Sequence, residues 1–78
     1  MSWNTRVIHG QSQYGEWYAI HEVFYEEDGE IRSWAAEPCL AVGETEAELR
    51  SYVRLMEEAF TRPVLEGESL KELEKEEA

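Results

Sequence analysis

The chain has 78 residues, 18 of them acidic and 7 basic, for a formal net charge of −11, and 42% of its residues are hydrophobic. That length holds one domain and no second core, while three Trp, four Tyr and two Phe exclude a wholly disordered chain. The acidic balance argues against direct binding to nucleic acid or to an anionic membrane and leaves a protein partner, or a second copy of the chain, as the expected class.

The opening MSWNTRVIHGQSQYG has no basic start followed by an apolar run, so no secretion signal is expected. No apolar stretch approaches the roughly 20 residues of a membrane span. Cys39 is the single cysteine, which rules out an internal disulfide. These features together predict a cytoplasmic protein.

Residues 3 to 9, WNTRVIH, read as a first strand, with Trp3, Thr5, Val7 and His9 on one side and Asn4, Arg6 and Ile8 on the other. The segment GQSQYG, bounded by Gly10 and Gly15, reads as a loop. A second strand is expected from about Glu16 to Glu26, and Asp28-Gly29 is the preferred pair for a two-residue type I′ hairpin. A third strand then runs from about Glu30 to Ala36 and ends by Pro38, which has no amide hydrogen for a ladder. With a two-residue loop, Glu27 faces Glu30, Tyr25 faces Arg32, Val23 faces Trp34 and His21 faces Ala36. One face of this hairpin holds Trp17, Ala19, His21, Val23, Tyr25, Arg32 and Trp34. The other holds Tyr18, Ile20, Glu22, Phe24, Ile31, Ser33 and Ala35. Neither face is polar.

Thr45 and Glu48 form the T-x-x-E pattern of a capping box, which marks a helix start. Leu49, Tyr52, Val53, Met56 and Phe60 follow at helical spacing, with Ala59 at the edge of the stripe and Arg50, Arg54, Glu57 and Glu58 on wet faces. Pro63 stops the helix, and Val64-Leu65 is expected to tuck back against the sheet. The tail EGESLKELEKEEA carries six glutamates against two lysines, with Leu70 and Leu73 as its apolar anchors. Ser69 and Glu72 offer caps for a short helix there, within an end whose composition favours fraying.

The expected architecture is therefore α+β: a three-stranded antiparallel sheet followed by one long amphipathic helix (β-β-β-α). Residues 1–65 make a single domain and residues 66–78 an acidic, partly helical or frayed tail. One helix covers one face of a sheet. The second face, rich in aromatic side chains, is left to the tail or to a partner.

Groups able to do chemistry are few. His9, His21 and Cys39 are the residues resembling a nucleophile–base set, yet Glu22, beside His21 on the same strand, points away from it. One cysteine and two separated histidines match no metal-ligand spacing, and no phosphate-cradling glycine loop or G-x-S-x-G is present. No enzyme, cofactor or metal is expected. The aromatic residues could in principle stack on bases, but acidic neighbours outnumber Arg6 and Arg32. Tyr and Trp also dominate protein-binding hot spots. The interface candidates are accordingly Trp3, Trp17, His21, Val23, Tyr25, Arg32 and Trp34, in a non-enzymatic protein-binding module that a homodimer would complete. The alternative is an acidic inhibitor that mimics nucleic acid.

The stretches MSWNTRVI, YAIHEVFYEEDG, VGETEAELRSYVRLMEEAF and RPVL resemble a widespread group of small bacterial proteins without an assigned function, over residues 1 to 65. That resemblance implies a stand-alone bacterial domain and supplies no site residues. A hairpin leading to Gly43, Thr45 and Glu48 is also similar, in the order of its elements, to the sheet domain of HicB-type antitoxins. That likeness implies toxin binding as a further alternative, without the separate DNA-binding domain of that family.

Overall fold

Residues 2–71 are described by the computed structural model. In chain order they form β1 (Ser2–Ser12), β2 (Gly15–Tyr25), β3 (Ile31–Trp34), α1 (Glu46–Glu57) running into a 3-10 turn (Glu58–Thr61), β4 (Leu65–Glu66) and a short helical segment at residues 67–71. The fold is α+β. Its sheet has four strands among the described residues, in the order β3-β2-β1-β4, so the expected three-stranded antiparallel sheet is incomplete. The added strand, β4, runs parallel to β1 and pairs Leu65 with Ile8 and Glu66 with His9. Two residues are too short to show any periodicity, which is why the sequence hides this strand.

The β1–β2 hairpin is longer than its sequence suggests, because the pairing continues through Gly10↔Trp17 to Ser12↔Gly15. Gly10 belongs to the strand for a steric reason. The Trp17 ring lies across it, and a Cβ built at Gly10 would clash with Trp17 Cζ2. A glycine under a cross-strand aromatic gives the ring a seat that no other residue leaves open.

The β2–β3 turn also departs from the expected two-residue loop. A type I′ turn needs positive φ at both central residues, but Gly29 alone in this turn has it, at 91°. The Gly29 amide donates to the Glu26 carbonyl at 3.0 Å and the Glu26 amide to the Glu30 carbonyl at 2.8 Å. These bonds define a three-residue loop with glycine in the left-handed position. Glu30 N–H also donates to Asp28 Oδ1 at 3.0 Å. Tyr25 therefore pairs with Ile31 in place of Arg32, and a bulge after Phe24 leaves Arg32 as the extra residue. The bulge cancels the added loop residue, so Val23 still faces Trp34. β3 ends there, short of Ala36. Ala35 N–H donates to Glu22 O at 2.9 Å and Cys39 N–H to Ile20 O at 2.8 Å, so the chain follows the edge of β2 past Pro38 without regular pairing.

The helix starts where the capping box places it. Thr45 Oγ1 accepts from the Glu48 amide at 3.1 Å, while Glu48 Oε2 accepts from the amide of Glu44, one residue before the cap, at 2.9 Å. α1 lies on the sheet face of Thr5, Val7 and Ile20, anchored at its C-terminal end. Thr5 Oγ1 donates to the Leu55 carbonyl at 2.8 Å, and Ala59 is fully buried against β1. No residue within Glu46–Glu57 is fully buried.

The opposite face receives the chain's own later residues around Arg6 and Ile8, while Trp17 on that face stays 36% exposed. Beyond the 3-10 turn the backbone is clasped by Arg6, whose Nη2 and Nε donate to the Pro63 carbonyl at 2.7 and 3.3 Å. Arg6 Nη1 donates to Tyr25 OH at 2.9 Å, and that hydroxyl donates to Asn4 Oδ1 at 2.8 Å. β4 then delivers Gly67 onto Ile8, where a Cβ built at Gly67 would lie 3.6 Å from Ile8 Cγ2. Leu70 is buried to 2% exposure, and Ile8 and Val23 beneath this side of the sheet are at 0%. β4 spans the expected boundary at residue 65, and of residues 66–71 Gly67 and Leu70 are buried while the others are exposed. Ser69 sits inside the short helical segment, which begins at residue 67. The expected roles of Glu72 and Leu73 lie outside the described residues.

Candidate functional site

The seven residues proposed as one aromatic interface do not share an open face. Trp3 pairs with Phe24 on the α1 side of the sheet. Val23 and His21 are buried on the other side. His21 Nδ1–H donates to the Ala35 carbonyl at 2.9 Å, and its ring lies 5.3 Å from Trp34, edge-on, and 6.5 Å from Trp17. Tyr25 is held by Arg6 and Asn4, Arg32 stands 3.6 Å from Glu26, and Trp17 is spread over Gly10. Trp17, His21 and Trp34 thus gather their rings on one side of the sheet, where Val23 pairs with Trp34 and Trp17 keeps 36% of its surface exposed. An aromatic run on paired strands carries no label that separates a core from an interface.

The open apolar surface lies on the helix side. On α1 and its 3-10 extension, Tyr52, Leu55 and Ala59 turn toward the sheet, while Leu49, Val53, Met56 and Phe60 form a stripe on the adjoining flank. Leu49 and Val53 are each 37% exposed and Phe60 is 71% exposed. The stripe ends in an open groove of about 350 Å³, lined by Val7, Tyr18, Ile20, Pro38, Met56 and Phe60, with Cys39 beside them. Tyr18, at 65% exposure, forms its outer rim. Leu40 and Val42, on the segment leading into α1, are also exposed. The Phe60 and Tyr18 side chains were assigned by the sequence to a helix stripe and to a sheet face. Their meeting depends on how far α1 reaches across β1.

Cys39 and the two histidines do not converge. Burial pushes the Cys39 thiol up, and the hydrogen bond from Tyr52 only partly offsets that shift. A thiol held neutral is a poor nucleophile. His21 is packed on the opposite face of the sheet from the groove. His9 is bridged between two carboxylates, with Nδ1 at 2.8 Å from Glu66 Oε2 and Nε2 at 3.1 Å from Glu16 Oε1. Its ring also lies 4.8 Å from that of Tyr18. No cluster of three or more metal-ligating side chains occurs among the described residues. No helix among them is long and apolar enough to cross a membrane.

The His9 bridge joins β4 to β1 and β2 and gives the fold a pH dependence. Hydrogen bonds with Glu66, and secondarily with Glu16, raise its pKa above the ordinary 6.5. A raised folded-state value means that the stabilisation is complete below about pH 6.5 and is lost as pH rises through the folded value. Thermal unfolding should therefore show a fall in stability from about pH 6 to pH 8 that His9→Gln removes. Equal pH profiles for the two proteins would show that the bridge does not form in solution.

Comparison with known proteins finds no family model, no curated protein and no solved structure that matches this chain.

Proposed function

We propose that this protein is a small non-enzymatic protein-binding module that docks through the apolar stripe of α1 and the groove beside it. The observation that carries this reading is the flank on which Leu49 and Val53 are each 37% exposed and Phe60 is 71% exposed, with half-buried Met56 between them lining the adjoining groove. A contiguous exposed apolar patch on a small charged domain marks an interaction surface. The separation of Cys39, His9 and His21 supports a binding role over catalysis.

The test compares the wild-type chain with a Val53→Asp/Phe60→Ser variant, both immobilised as bait and both followed by light scattering. Species retained by the wild type and lost by the variant, whether a second copy or a different protein, support the reading. Equal retention by both baits overturns it. If the retained partner is instead released from both by moderate salt, the acidic surface is the binding element and the chain acts as a polyanion mimic.

A further inference from the structure

We propose that the partner is a second copy of this chain, paired through α1 with the two helices antiparallel. This rests on reading the α1 flank as the docking surface. Leu49, Val53 and Met56 on α1 are separated by four and three residues, and Phe60 follows four residues later in the 3-10 turn that extends it. That is the heptad spacing of a helix–helix seam, narrower than the stripe a helix needs to lie on a sheet. The sheet-facing residues Leu55 and Ala59 occupy a different side, so α1 carries a second apolar flank that the sheet meets only at Met56 and Phe60, along the groove. No second helix of comparable length is present among the described residues to take that flank.

The seam's charges specify the orientation. Arg50 and Glu57 each follow a seam residue, Leu49 and Met56, and so lie on the same margin of the stripe. In an antiparallel pair, Leu49 meets Phe60 of the second copy and Val53 meets its Met56. The same alignment brings Arg50 beside the other Glu57, and two-fold symmetry makes that contact twice. A parallel pair places these two margins on opposite outer sides and makes neither contact. Arg50 is free to turn to this role because its present partner is Glu46, at 2.9 Å in a highly exposed pair. The helix alone spans about 18 Å, too little for the roughly 800 Å² that each side of a stable interface buries. The groove lies in continuation of the seam, and its Tyr18 and Phe60 supply the remaining apolar area.

Sedimentation equilibrium on the full chain, up to about 1 mM, tests the pairing. The expected result is a monomer–dimer equilibrium that moderate salt strengthens, since each copy carries a charge of −11. Arg50→Glu and Glu57→Arg should each weaken it about tenfold, and the double swap should restore it at the native net charge. A wild-type monomer throughout the range overturns self-pairing. If Val53→Asp/Phe60→Ser still abolishes binding of a different protein, the docking surface itself survives that failure. A dimer indifferent to all three charge variants overturns the antiparallel arrangement.

Discussion

Leu70→Ala should destabilise the fold by about 2–5 kcal/mol, a large share of the roughly 5–15 kcal/mol that holds a native domain together. Leu70 is 2% exposed, three residues after Gly67, which lies beside Ile8. Alanine is the better helix former, so intrinsic propensity opposes the loss and any destabilisation must come from packing. A chain ending at Leu65 should do worse, since it loses Leu70, the Gly67 contact with Ile8 and the Glu66–His9 bridge together. Urea unfolding followed by tryptophan fluorescence measures both, because Trp17 and Trp34 lie on the same side of the sheet as Ile8 and change surroundings when the chain unfolds. A Leu70→Ala midpoint equal to the wild type would mean that residues 65–71 do not hold this face in solution.

The other face has a comparable single point of control. Ala59 is fully buried where the 3-10 turn meets β1, and it sets how closely the helix approaches the sheet. Ala59→Leu inserts three carbon atoms where no space exists, at a cost of about 1–3 kcal/mol. It should also lift Leu55 from Thr5, breaking the 2.8 Å bond from the buried hydroxyl to the helix carbonyl. Phe60→Leu, one residue away but 71% exposed, serves as the control and should be close to neutral. Thermal unfolding gives the stabilities, and amide exchange along α1 reports whether the helix loosens. A neutral Ala59→Leu would place the helix farther from the sheet than the structure does.

These two substitutions probe what the sequence leaves ambiguous. Both hairpin faces are apolar, and α1 could have been laid on either. Its choice of the Thr5, Val7 and Ile20 face depends on contacts between residues some fifty positions apart, such as Thr5 with Leu55. The aromatic group of Trp17, His21 and Trp34 has an interface-like composition, yet it is gathered around His21, which is 3% exposed, and the segment whose sequence suggests a frayed tail buries Leu70. Leu70 was legible as an anchor in that segment. The place it occupies was not, because the register of a two-residue parallel strand has no sequence signature. The candidate site was half legible for the same reason: the α1 stripe shows in its spacing, but the groove requires Tyr18 and Phe60 to be brought together.

What the sequence by itself determined was local. Thr45 and Glu48 specify the helix start because their side chains satisfy amides no more than four residues away. The alternation along β1 separates Val7 from Ile8 because successive strand side chains point to opposite faces. Gly29 marks the turn because it takes the positive φ that other residues resist. Only the tertiary structure decided which apolar face each covering element takes, how the β2–β3 bulge restores the register, and which flank of α1 stays open. Those outcomes come from fitting volumes and hydrogen bonds across the chain, and no short stretch of it contains the partners that compete for each surface.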